Sequence, residues 1–142
     1  MPPGDDPPIV RPLLKLSDPD ADGFILDGLT RSAPGEPSRW IVQHARFRLW
    51  PEKNVLYTFA LHLQVAEQIR KAVGPQTITI TLNSHVLDTP RFDHDQQYEY
   101  RHSVAPNLIT RPVVVGVDVN PVWTTPDGNK LGVLVTSIGF EK

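Results

Sequence analysis

Proline recurs through this chain at a spacing that leaves room for strands and for little else. There are fifteen prolines in 142 residues. Pro34, Pro37, Pro51, Pro75, Pro90, Pro106, Pro112, Pro121 and Pro126 fall between apolar runs. Proline fixes φ and lacks a backbone donor, so it punctuates strands and stays out of helix interiors. The runs between these prolines alternate. In "WIVQHARFRLW", Ala45, Phe47 and Leu49 alternate with Arg46, Arg48 and Trp50, the pattern of a half-buried strand. In "VLYTFALHLQV", Val55, Tyr57, Phe59, Leu61, Leu63 and Val65 share one face, with Thr58, His62 and Gln64 on the other. "QTITITL" turns Ile78, Ile80 and Leu82 inward and Thr77, Thr79 and Thr81 outward, and its β-branched content suits a pleated surface.

Later segments repeat the pattern. "YEYRHSV" sets Tyr98, Tyr100, His102 and Val104 against Glu99, Arg101 and Ser103, and "PVVVGVDV" aligns Val113, Val115, Val117 and Val119. "KLGVLVTSIGF" is apolar on both faces, which predicts a central strand. "AEQIRKAVGP" is the one helix-like piece, and a turn closed by Gly74 is the other reading of it. Seven or eight strands with regular turn signals predict an all-β fold, an antiparallel two-sheet β-sandwich of jelly-roll type, with an immunoglobulin-like sandwich as the rival. Residues 1–12 hold five prolines, two aspartates and a glycine, so residues 1–22 are expected as a flexible or loosely docked segment and 23–142 as one domain. Within the first segment, "LLKLSD" either docks against the domain or forms a first edge strand.

Composition removes several function classes. The formal net charge is −2, so there is no strong positive field for nucleic acid and no basic block for a membrane surface. With no cysteine, disulfides, thiolate nucleophiles and Cys-type zinc sites are absent. No apolar run approaches the roughly 20 residues of a membrane span. "MPPGDDPPIVRP" has neither a basic start nor an apolar stretch, so a cytoplasmic protein, or a piece of a longer one, is expected.

The chemistry-bearing stretch is "HVLDTPRFDHDQ", His85–Gln96, with two histidines and three aspartates. His85, Asp88, Asp93, His94 and Asp95 offer imidazole and carboxylate donors for zinc or manganese, and the aspartates alone suit calcium. The stretch lacks the HxH, HExxH and DxDxDG spacings. Aspartates, Asn83-Ser84 and Pro90 make it read as a loop between strands. No metal, cofactor or catalytic residue is assigned. There is no GxSxG and no phosphate loop, and His44, His62 and His102 sit in alternating strands where cross-strand contacts account for them.

Aromatic residues are the stronger lead. Sugars present apolar C–H faces that stack on Trp or Tyr, while polar neighbours fix the hydroxyls. Trp50 follows Arg48, Trp123 lies in the loop "NPVWTTPDGN", and Tyr98 opens a strand. Trp40 is expected to cap the core. The candidate ligand-binding residues are Trp50, Trp123, Arg48 and Tyr98, with the two tryptophans stacking on sugar faces and Arg48 binding hydroxyls or a uronate.

The stretch "VVVGVDVNPVWTTPDGNKLGVLVTSIGF", Val113–Phe140, resembles the end of a β-sandwich module appended to bacterial glycosyltransferases and cell-envelope polysaccharide proteins. Val117, Asp118, Pro121, Asp127, Gly128, Leu131, Gly132, Ile138 and Phe140 carry the likeness. Gly23-Phe24 and Arg39-Trp40 fit its start, so it spans about Gly23 to Glu141. After Gly23-Phe24 the chain departs from the pattern with "ILDGLT". The resemblance implies a non-catalytic, carbohydrate-binding or glycosyltransferase-accessory module. Its partners would be a glycan and an enzyme, or a parent glycosyltransferase chain, with no nucleic acid and no membrane. A protein-interaction domain and a cupin-like metal-dependent enzyme using His85–Asp95 are the alternatives.

Overall fold

The structure is a computed structural model; residues 10–18, 20–30, 38–52, 55–94 and 96–142 are described. The strands are β1 (Leu13–Lys15), β2 (Ile25–Leu29), β3 (Arg39–Leu49), β4 (Thr58–Gln64), β5 (Gln76–Leu82), β6 (His85–Asp88), β7 (Arg91–Phe92), β8 (Gln97–Ser103), β9 (Val113–Asn120), β10 (Trp123–Thr124), β11 (Lys130–Leu131) and β12 (Leu134–Glu141). One helix, α1 (Glu67–Val73), links β4 to β5. It ends on Gly74, at φ 80°.

Two antiparallel sheets face each other. One has the order β8-β4-β12-β1, the other β2-β3-β9-β5, with β6 and β7 both pairing β5. From β3 onward the long strands alternate between the two sheets, β3, β4, β5, β8, β9, β12, which is the jelly-roll wrapping expected from the sequence. The sheets are stitched at both ends. Leu134 and Val135 pair Trp40 and Arg39 at one end, and Arg11 bridges Trp50 at the other.

The alternation read from sequence is the burial pattern found. Phe47, Leu49, Phe59, Leu61, Ile78, Ile80, Val113, Val115, Val117 and Phe140 are all buried between the sheets. Most of their outward neighbours are half-buried or exposed, with Ala60 and Gly139 buried as well. Phe59 and Phe140 meet edge to face with ring centroids 6.0 Å apart, a preferred aromatic geometry.

Three local expectations change. Leu13–Lys15 is an edge strand on β12, and Leu14 and Leu16 sit in the core with Ala21; a boundary at residue 23 therefore cuts through the core. "KLGVLVTSIGF" is not one strand: Lys130–Leu131 pairs with Trp123–Thr124, and Gly132-Val133 exchanges backbone bonds with Ile41 before β12 begins. "HVLDTPRFDHDQ" is not a plain loop. After the Asn83-Ser84 turn, His85–Asp88 and Arg91–Phe92 run back along β5.

Candidate binding site

The connections at one end of the sandwich build a groove of about 570 Å3, lined by Glu52, Val55, Leu56, Pro106, Ile109, Thr110 and Arg111. The first three lie between β3 and β4, the last four between β8 and β9. Its size is that of a small-molecule or single-sugar site. Leu56 is 75% exposed, a large apolar side chain standing free at the groove. Val55 and Ile109 are half-buried beside it.

The walls are held from below. Glu52 N–H donates to Tyr57 Oη at 2.9 Å, fixing one connection to a buried ring. Asn83 Nδ2 donates to Thr110 Oγ1 at 2.7 Å, and Thr110 Oγ1 donates to the Pro112 carbonyl at 2.7 Å. Asn83 Oδ1 also accepts from Val114 N–H. The β5–β6 turn thus buttresses the β8–β9 connection. Glu52 is 3.3 Å from Lys142 Nζ, so the groove carries both signs of charge with Arg111. An apolar floor flanked by donors and acceptors suits an amphipathic ligand.

The structure distributes the sequence-derived candidates. Trp50 is half-buried and directly follows β3, and exposed Arg48 sits opposite Val114; both belong to the groove's end. Trp123 is half-buried on β10 beyond the far end of β9, paired with Leu131. The eight residues of β9 separate the two tryptophans by about 25 Å at strand spacing. Tyr98 faces inward: its ring packs on Phe92 at 4.7 Å, and its hydroxyl donates to the His94 carbonyl at 3.0 Å and accepts from His94 N–H at 3.2 Å. It therefore ties the start of β8 to the backbone of His94. Trp40 is half-buried at the seam between the sheets.

The metal candidates do not converge. Asp88 accepts from the Tyr100 hydroxyl, His94 lies 3.5 Å from Asp93, and Asp95 is outside the described residues. Among the described residues no three His, Asp or Glu side chains are placed to share an ion. The Asp88 carboxyl is held below its usual range, first by the Tyr100 hydroxyl and then by Thr89 N–H. Burial, and then Asp88, push the Tyr100 phenol well above its own. That pair closes the side of the sandwich between β6 and β8.

Sequence reasoning missed Glu52, Val55, Leu56, Ile109, Thr110 and Arg111. A signal was present. Leu56 lies out of phase with Val55 and Tyr57, an apolar residue on a polar face, and "PNLITRP" brackets apolar residues with prolines in a connection.

No protein-family model matches the chain, and no curated protein matches it in sequence. Solved structures do match its fold. A family 35 carbohydrate binding module from an environmental isolate superposes with a TM-score of 0.51 at 11% identity, over 92% of each chain. A Paenibacillus sp. cycloisomaltooligosaccharide glucanotransferase complexed with cycloisomaltoheptaose matches with a TM-score of 0.51 at 7% identity. That match covers 92% of this chain and 18% of the enzyme; this chain spans less than a fifth of the enzyme's length. The fold shared with both is the β-sandwich described above.

Proposed function

We propose that this chain is a non-catalytic carbohydrate-binding module that holds a glycan in the groove beside Trp50. The observation that carries the reading is the groove itself: exposed Leu56 and half-buried Val55 and Ile109 form an apolar platform for a sugar face. Glu52, Thr110 and Arg111 stand around it for the hydroxyls. The fold is similar to that of a family 35 carbohydrate binding module over 92% of the chain, which supports the assignment. Its recurrence inside a much longer glucanotransferase supports a role beside a glycan-active enzyme, as a partner or as part of its chain. An accessory role to a glycosyltransferase is the specific form we infer from the sequence resemblance.

The test is a glycan array on the purified protein, with calcium and again with EDTA, followed by calorimetry on any glycan that binds. Leu56→Ala in the groove, and Trp50→Ala at the same end of the sandwich, should weaken binding by about tenfold, the loss of one apolar contact surface, and Trp123→Ala should leave it unchanged. Binding lost only in Trp123→Ala would move the site to the opposite end. Binding lost in EDTA would return the aspartates of His85–Gln96 to consideration. A blank array would favour the protein-interaction reading.

A further inference from the structure

Among the described residues, strand β8 ends its sheet with one side unpaired. The other sheet edges among the described residues are blunted in ways that resist pairing with another chain. β1 is three residues long and follows Pro12. β2 carries two register shifts, one on each side of Asp27, the second across Gly28. β6 has four residues, a register shift and Pro90 close behind. β8 has none of these devices. It is seven residues long, without proline, glycine or lysine, and in unbroken register with β4 from Gln97 to Ser103.

Its hydrogen-bonding parity follows from two bonds at its ends. Val65 N–H donates to the Gln96 carbonyl, and Val104 N–H donates to the Tyr57 carbonyl. The even-numbered residues therefore point their backbone groups at β4, and alternation turns those of Gln97, Glu99, Arg101 and Ser103 to the open edge. An antiparallel partner must place its own outward-facing residues opposite these.

For a second copy of β8, three central registers satisfy that condition. Centring on residue 99 sets Glu99 against Glu99. Centring on residue 101 sets Arg101 against Arg101. Centring on Tyr100 sets Glu99 against Arg101 twice, pairs Gln97 with Ser103, and engages all seven residues. Like charges directly opposite destabilise a ladder, and opposite charges stabilise it. The charges that would repel most strands thus select one register with an identical strand. Along the inner face, half-buried Tyr98, Tyr100 and His102 would meet the same row from the other copy, in reversed order.

We propose that the protein forms a two-fold symmetric dimer by antiparallel pairing of β8 with β8, joining the two β8-β4-β12-β1 sheets into one continuous sheet. The contact is isologous, as closed two-fold assembly requires, and its mode is strand addition at an exposed edge.

The experiment is sedimentation equilibrium on the full chain across a wide concentration range, with circular dichroism to confirm that each variant is folded. The wild type should dimerise. Arg101→Glu sets Glu against Glu at both symmetric positions, and Glu99→Arg sets Arg against Arg; each should weaken the dimer by at least about tenfold. The double exchange, Glu99→Arg with Arg101→Glu, restores opposite charges in this register alone and should recover dimerisation. Glu99→Pro removes an outward N–H without touching the β4 ladder, and should give a monomer. A wild type that is monomeric throughout overturns the proposal. So does a dimer indifferent to either single exchange, or a double exchange that fails to recover it.

Discussion

Gly28 is a residue at which the fold has no room for a side chain. Its φ is +87°, and a Cβ there would run into the carbonyl of His44 on β3. It lies where β2 slips register against β3, so strain and collision act together. Gly28→Ala should cost at least about 2 kcal/mol in denaturant unfolding. The Asp88–Tyr100 pair makes a different prediction, in pH. The Asp88 pKa is lowered on folding. Its contribution is therefore present above the unfolded carboxyl value of about 3.9 and lost as pH falls below it. The Tyr100 pKa is raised, so its contribution is present below about 10 and lost as pH rises past that value. Melting temperature should fall on both sides of that window, and Tyr100→Phe should flatten both limbs while lowering the plateau. Two unchanged limbs in the variant would show that the pair is not coupled to folding. The exposed Arg46–Asp27 pair should leave stability almost unaffected when broken, because solvent screens it.

The β5–β6 hairpin shows which elements a sequence discloses. Asn83 and Ser84 have φ of 49° and 72°, both positive, as a two-residue type I′ turn requires. Asn tolerates that region and Ser less so. Ser84→Gly should therefore stabilise the protein by about 0.5–1 kcal/mol. Asn83→Gly keeps the backbone conformation but loses the bonds to Val114 N–H and Thr110, and should cost about 1 kcal/mol. Thermal melts of the two variants should shift in opposite directions. The turn was legible because it depends on two adjacent residues. The strands were legible because burial of one face imposes a period of two. The break at Gly132-Val133 was not. It arises from bonds to Ile41, ninety residues back, and from a glycine whose Cβ would press on the Ile41 carbonyl at 2.8 Å and on Val119. Likewise Gln76, polar in sequence, is buried because its Nε2 donates to the carbonyls of Pro121 and Gly132, a long-range arrangement that leaves no local pattern.

At the scale of the whole molecule, the candidate residues were chosen by type and the site is made by position. Trp50, Arg48, Trp123 and Tyr98 were each recognisable, but which sandwich end each occupies depends on strand order, and that put Trp50 and Trp123 at opposite poles. The N-terminal segment teaches the same point from the other side. Its prolines and aspartates suggest a tether, yet Leu14 is fully buried and Leu16 nearly so, and β1 closes the edge of β12 through Leu14↔Ile138. The backbone fits closely there: Gly139 at φ +150° lies against Pro12 and Leu13, with no space for a Cβ. Removing a buried leucine side chain from such a place loses its transfer free energy and leaves a cavity. Leu14→Ala should therefore destabilise the whole protein by about 2–5 kcal/mol. Val10, 45% exposed, supplies the contrast, and Val10→Ala should stay within about 0.5 kcal/mol of the wild type. If β1 were a docked accessory, Leu14→Ala would free the segment and leave the main unfolding transition in place, with protease cutting near Leu14 at unchanged melting temperature. As a structural edge, it should lower the single transition and protect the segment until the sandwich itself unfolds.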